Sequence, residues 1–158
     1  MSWTEICEDP QLRDLPYKIQ TDKWGNIVMT PATNEHGIYQ AKIVILISRI
    51  VEEGTLISEC SIQTSEGVKV ADVAWASAEF MQKNKGKNPF SEAPEICIEI
   101  LSPSNPELEM TEKKELYFAH GAKEFWVCDQ EGNMTFYKNI GPLKNSEIIA
   151  SFPCKVTL

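Results

Sequence analysis

Long apolar runs are missing from this sequence. The longest, Ile43 to Ile47, has five residues, against the ~20 that a membrane-spanning helix needs. The start lacks the basic residues and apolar stretch of a secretory leader: Met1 to Leu15 carries Glu5, Glu8, Asp9 and Asp14 against Arg13. A cytoplasmic protein with no membrane partner is the expectation. Basic charge is scarce too, with 15 Lys and Arg against 23 Asp and Glu, net −8. This excludes nucleic-acid binding through a diffuse basic surface, because such binding rests on cationic side chains neutralising phosphates. Local phosphate contacts stay open, as do contacts bridged by a divalent cation, which inverts the sign of an acidic site. The cysteines, Cys7, Cys60, Cys97, Cys128 and Cys154, are odd in number, widely spaced and without a CxxC. Neither a zinc site nor a disulfide framework fits that spacing. Cys60, Cys97 and Cys128 lie in apolar stretches and read as small buried hydrophobes.

What is present is the composition of a folded chain. With 158 residues, 42% hydrophobic and 24% charged, one domain spanning 1–158 is expected, residues 1–15 being an N-terminal extension. Tyr17 to Gln20 and Ile27 to Thr30 read as strands around Asp22-Lys23-Trp24-Gly25-Asn26, which has hairpin-turn chemistry. Asn34 reads as the cap of a helix over Glu35 to Glu53, with Ile43, Leu46, Ile47 and Ile50 at helical spacing and Gly54 as its stop. Leu56 to Thr64 and Val68 to Ala76 form a second hairpin about Ser65-Glu66-Gly67. Ser77 caps a short helix to Met81, and Gln82 to Pro94 is a polar surface loop. Glu95 to Leu101 is a strand. Asn105-Pro106 starts a helix that stops at Gly121. Glu124 to Asp129 pairs with Met134 to Tyr137, and a last strand covers Glu147 to Ser151. Strands and helices in this order predict an α/β (α+β) domain, a central mixed β-sheet flanked by helices.

Two carboxylates break the pattern. Asp72 shares a strand face with Val68, Val70 and Ala74, and Glu99 shares one with Cys97 and Leu101. A charge on an apolar face is costly unless something pairs with it. One such residue can guard a sheet edge against aggregation. Two on separate strands suit a structural ion pair, or a hard divalent cation, since Mg²⁺ takes oxygen ligands. Lys113 lies in a densely charged helical segment, where pairing with Glu109 at i,i+4 is its simplest role.

These residues resemble the Asp then Glu-x-Lys pattern of the PD-(D/E)XK nuclease superfamily. The chain is most similar to the Uma-type family of restriction endonuclease-like proteins. The resemblance covers most of the chain, starting near Pro16 to Ile19 and Val28 to Pro31 and including His36 and Glu59-Cys60. It is most specific over Gly67 to Trp75, Ala93 to Asn105, and Glu109 through Lys113 to Tyr117 and Gly121, with Glu124 to Val127 completing it. Two departures are visible: Ala71 stands where the family has proline before the Asp, and Leu101 stands at the orthodox lysine position. Lys113 on the following helix matches the displaced lysine, with Lys114 turned about 100° away.

The resemblance implies a restriction endonuclease-like core and phosphodiester hydrolysis in DNA. Asp72 and Glu99 would hold Mg²⁺ or Mn²⁺, and Lys113 would act on the water or the developing charge. Glu59 could be a further ligand or support for one, or simply an exposed strand residue. His36 could face the site, shuttle a proton, or be satisfied by backbone at a helix start. Tyr117 reads as packing. A homodimer is implied, because a two-fold pair presents two sites to two strands. Lys83, Lys85 and Lys87 form the basic cluster without nearby acids, for phosphate contact or for solubility. The competing readings are a catalytically degenerate fold serving as a dimeric interaction or accessory module, and a hydrolase of a small phosphorylated molecule.

Overall fold

In the computed structural model, which describes residues 1–103 and 107–158, the turns lay down two hairpins. Strand β1 (Tyr17–Thr21) pairs antiparallel with β2 (Ile27–Pro31), Thr21 opposite Ile27. The Asp22 carboxylate accepts from the N–H groups of Trp24 and Asn26, while Gly25 takes the left-handed conformation at φ 83°. Strands β3 (Thr55–Thr64) and β4 (Gly67–Ala76) form the second hairpin. Gly67 has φ 94°, and a Cβ there would collide with the backbone of Thr21 and Asp22. That close approach lets β1 lie against β4. The Val68 N–H donates to Thr21 Oγ1 at 2.8 Å and the Val70 N–H to Gln20 Oε1 at 3.0 Å.

The N-terminal extension is not featureless. Helix α1 (Trp3–Glu8) is closed by a capping box between Ser2 and Glu5. The long helix α2 (Asn34–Ile50) is capped by Thr33, whose hydroxyl accepts from the His36 N–H, not by Asn34, and it ends before Glu53. Its buried stripe is Tyr39, Ile43 and Ile47, at i,i+4 spacing, with Ile50 exposed. Helix α3 (Ala78–Asn84) starts at the expected Ser77 cap but runs past Met81. The segment after Gln82 is therefore not all loop: Asn84 is buried, donating to Phe80 O and Glu92 Oε2.

Strand β5 (Ile96–Ile100) is buried throughout. Helix α4 (Glu107–Ala119) follows, and the expected Asn105-Pro106 start lies outside the described residues. Strand β6 (Glu124–Cys128) runs parallel to β5, then β7 (Met134–Lys138) and β8 (Gly141–Leu143) turn back antiparallel. The result is a six-stranded mixed sheet, order β3-β4-β5-β6-β7-β8. No strand forms over Glu147 to Ser151. Backbone N–H groups there bond to side chains instead: Glu147 and Ile148 donate to Glu124 Oε2, and Ile149 to Ser146 Oγ. A segment that spends its donors this way cannot join a ladder.

The two sheet faces bury different layers. Tyr39, Ile43 and Ile47 of α2 pack with Val73, Ile98 and Trp126. Tyr117 of α4 packs with Cys60, Ala74, Cys97 and Phe125. Cys7 and Cys154 are exposed, and the other three cysteines are buried as expected.

Candidate active site

Strands β4 and β5 part at one point, and the two carboxylates stand there. The β4–β5 ladder runs Trp75–Ile96, Ala74–Cys97 and Val73–Ile98. Past it, the Ile100 N–H turns to the Asp72 side chain, donating to Oδ2 at 2.8 Å. Asp72 and Glu99 are each 1% exposed. Burial alone would push both carboxyls up, because it penalises the charged form.

Four side chains answer that burial. Lys18, on β1, donates from Nζ to Asp72 Oδ1 at 2.9 Å and to Glu99 Oε2 at 3.3 Å. His36, in the first turn of α2, places Nε2 3.2 Å from Asp72 Oδ2. Lys113 of α4 donates to Glu99 Oε1 at 3.1 Å, and the Tyr117 hydroxyl reaches the same oxygen at 2.9 Å. Among the described residues, no buried side-chain nitrogen or oxygen lacks a partner.

The two ends of the cluster titrate differently. Burial opposes the Asp72 charge, but Lys18, His36 and the Ile100 N–H outweigh it and hold the carboxyl well below its usual range. Burial also opposes the Lys18 charge, and the Glu99 and Asp72 carboxylates overcome it, holding the ammonium well above its usual range. At the α4 end burial wins. It pushes Glu99 up despite Lys113 and Lys18, and pushes Lys113 down despite Glu99.

The sequence-derived residues Asp72, Glu99, Lys113, His36 and Glu59 all line one small cleft of about 80 Å³. Glu59 is on its rim, exposed, at φ 56°. Its carboxylate accepts from Gln40 Nε2 at 2.9 Å, which also donates to the Asp72 carbonyl at 2.7 Å. Lys114 points elsewhere, with Nζ 4.5 Å from the centre of the Tyr137 ring. Lys83, Lys85 and Lys87 line neither this cleft nor its neighbour. Lys83 borders a separate depression with His120 and Lys123, and Lys87 donates to Asn84 Oδ1.

Three participants escaped sequence reasoning. Lys18 lies in a stretch that carries the family resemblance, but nothing in its short strand marks it as the partner of two distant carboxylates. Gln40 had one, the i,i+4 spacing from His36 on a common helix face. Tyr117 was legible as buried one turn after Lys113, but not as a donor to Glu99.

A groove of about 710 Å³ adjoins the cleft and shares Gln20, Glu109 and Lys113 with it. The hairpins contribute Lys23, Trp24 and Lys69 together with Asp22 and Glu66, and α4 contributes Glu109, Glu112 and Glu115. Trp24 is 75% exposed at the hairpin tip, with Lys23 Nζ 4.5 Å from the ring centre.

Among the described residues, no three His, Cys, Asp or Glu side chains form a metal-ligating group. The donor set nonetheless suits a hard cation. Asp72 Oδ1 and Glu99 Oε2 converge on one positive centre, the Lys18 ammonium. Two carboxylate oxygens aimed at a common point, beside a cleft with room for water, match the way Mg²⁺ is held.

A family model, Uma2, described as "Putative restriction endonuclease", matches residues 16–138. No curated protein matches the chain. Among solved structures, a "putative nuclease belonging to DUF820" from Anabaena variabilis ATCC 29413 is similar, with TM-score 0.69 and 20% identity over 87% of this chain and 79% of that one. At this identity the likeness is one of fold, a mixed sheet flanked by helices.

Proposed function

Because the chain belongs to the Uma2 family, within the PD-(D/E)XK-like nuclease superfamily, we propose that it is a metal-dependent endonuclease hydrolysing phosphodiester bonds in DNA. One observation carries this reading. Two buried carboxylates from adjacent strands aim oxygens at a single cationic point, at the end of a groove. In an ordinary core, a pair of apolar residues would pack there at less cost.

Asp72 and Glu99 would hold Mg²⁺ or Mn²⁺. When bound, such an ion supplies a polarised phosphoryl oxygen and a water of lowered pKa. This chain's own residues do the positioning. His36 and the Ile100 N–H fix Asp72 Oδ2, leaving Oδ1 aimed at the cation point. Tyr117 and Lys113 fix Glu99 Oε1 in the same way, leaving Oε2. Lys113 lines both the cleft and the groove, so its ammonium, held at Glu99, would act from the border between them to offset developing negative charge. Gln40 holds the Asp72 backbone to Glu59.

The groove suits one strand better than an intact duplex. Trp24 offers a face for base stacking, and Lys23 and Lys69 offer phosphate partners, while the acids that also line the groove repel a second backbone. Lys83, Lys85 and Lys87 would contact phosphates outside the cleft. A homodimer in the cytoplasm completes the reading, and light scattering at micromolar concentration tests it by the expected doubled mass.

The acidic net charge of −8 favours one alternative, a nuclease fold kept as a dimeric accessory module. Nicking of supercoiled plasmid in Mg²⁺ or Mn²⁺ separates the two. Cleavage by the wild type, lost in Asp72→Asn and Glu99→Gln, supports the nuclease. No cleavage of plasmid or single-stranded DNA in either metal supports the module.

A further inference from the structure

We propose that Lys18 is a displaceable internal counter-ion for the metal locus. Its ammonium sits at the point a divalent cation would take, so that metal enters only as Lys18 leaves. The inference rests on the metal-dependent reading above.

Position is the first argument. Lys18 Nζ bonds Asp72 Oδ1 at 2.9 Å and Glu99 Oε2 at 3.3 Å, the two oxygens that the other partners leave aimed inward. Any ion bridging those oxygens meets the ammonium. Charge is the second. Lys18 and Lys113 already balance the two carboxylates. A dication brought to a balanced cluster finds no net attraction to offset its desolvation, and beside the Lys18 ammonium it is repelled across a few ångströms with little screening.

The third argument is that Lys18 can leave and Lys113 cannot. Lys18 projects from β1, which belongs to a separate two-stranded sheet, and its side chain is 12% exposed at the cleft. Its flexible stem lets the ammonium swing outward to water. Lys113 is 4% exposed by side chain, held on α4 between Glu99 and Glu109. One cation of the cluster is therefore a fixture and the other an occupant. Competition of this kind weakens metal affinity by the fraction of time the locus is free.

Calorimetric titration with Mn²⁺ tests the inference, comparing wild type, Lys18→Met and Lys18→Gln, with a second version of each that carries Asp72→Asn as its control. If Lys18 fills the locus about nine-tenths of the time, its removal tightens Mn²⁺ binding about 10-fold. The Asp72→Asn controls should lose the heat. Equal affinity in all three proteins overturns the role of Lys18 and leaves the metal reading standing. Weaker binding in the variants does the same, assigning Lys18 to the metal-bound form. No Mn²⁺ binding by any of them overturns the metal reading and this inference together.

Should the variants not fold, as judged by near-UV circular dichroism, the wild type answers alone. Acylation of lysines followed by mass spectrometry should show Lys18 reacting faster in Mg²⁺ than in EDTA, with Lys113 unchanged. An unchanged or slower Lys18 overturns the inference.

Discussion

The Tyr117 hydroxyl and the Lys113 ammonium share one oxygen, Glu99 Oε1, at 2.9 and 3.1 Å. They lie one helical turn apart on α4, so a single face of that helix carries both donors to a carboxylate on β5. Tyr117 is fully buried, and Phe would keep its ring packing while deleting the hydrogen bond. Tyr117→Phe should cost about 1.5–3 kcal/mol in urea unfolding, the usual range for a bond to a charged group. A loss under about 0.5 kcal/mol would assign Tyr117 to packing alone.

Lys113 and its neighbour Lys114 should separate cleanly. Lys113→Ala should lower the cleavage rate on the order of 10²-fold. It should also destabilise the fold by about 3 kcal/mol, because it strips a partner from a buried carboxylate. Lys114→Ala removes only a contact with the Tyr137 ring, worth about 0.5–1 kcal/mol, and should leave the rate unchanged. Plasmid nicking and denaturant unfolding measure both. Equal behaviour of the two variants would refute the assignment of Lys113.

His36 sets a pH dependence in metal-free protein. Its hydrogen bond to Asp72 raises the imidazole pKa above its ordinary value of ~6.5, against the opposing effect of burial. A group whose folded pKa is raised adds stability that is complete below its unfolded pKa and is lost as pH rises through the folded one. In EDTA, the melting-temperature gap between wild type and His36→Gln should be widest below pH ~6.5 and shrink at higher pH. A gap independent of pH would show that His36 stays neutral throughout.

The basic residues of the groove and of the α3 end should differ in salt dependence. Changing Lys23 and Lys69 to Ser should lower the salt slope of single-stranded DNA binding by up to about 2. Trp24→Ala should weaken that binding by about 1–3 kcal/mol, the cost of one stacked base. Changing Lys83, Lys85 and Lys87 to Ser should reduce the slope less, since none of them lines the cleft or the groove. Fluorescence anisotropy in Ca²⁺ reads all three. A larger drop for the second set would move the phosphate track to the α3 end.

Much of the site was legible because strand periodicity is local. A carboxylate at Asp72 or Glu99 stands out against its own neighbours two residues away, and both proved buried. Turn chemistry was equally local: Gly25 and Gly67 adopt the positive φ their hairpins require. The cap of α2 and the end of α3 shifted by a few residues because Thr33 and Asn84 found partners that propensity alone does not weigh.

The last strand failed for a related reason. Glu124 is 2% exposed and collects donors from Trp126, Ser146, Glu147 and Ile148. Nothing within Glu147 to Ser151 announces that a carboxylate over 20 positions earlier will claim its N–H groups.

By itself, then, the sequence determined which positions carry charge against an apolar background, where the chain turns, and that α4 brings Lys113 to one face. Only the tertiary structure decided what that charge meets. Lys18 is 54 positions from Asp72 and 81 from Glu99. It reaches both because Gly67 lets β1 press against β4, and no pattern within β1 encodes that crossing. A buried charge marks itself locally, whereas the partner that balances it is chosen by packing between distant segments.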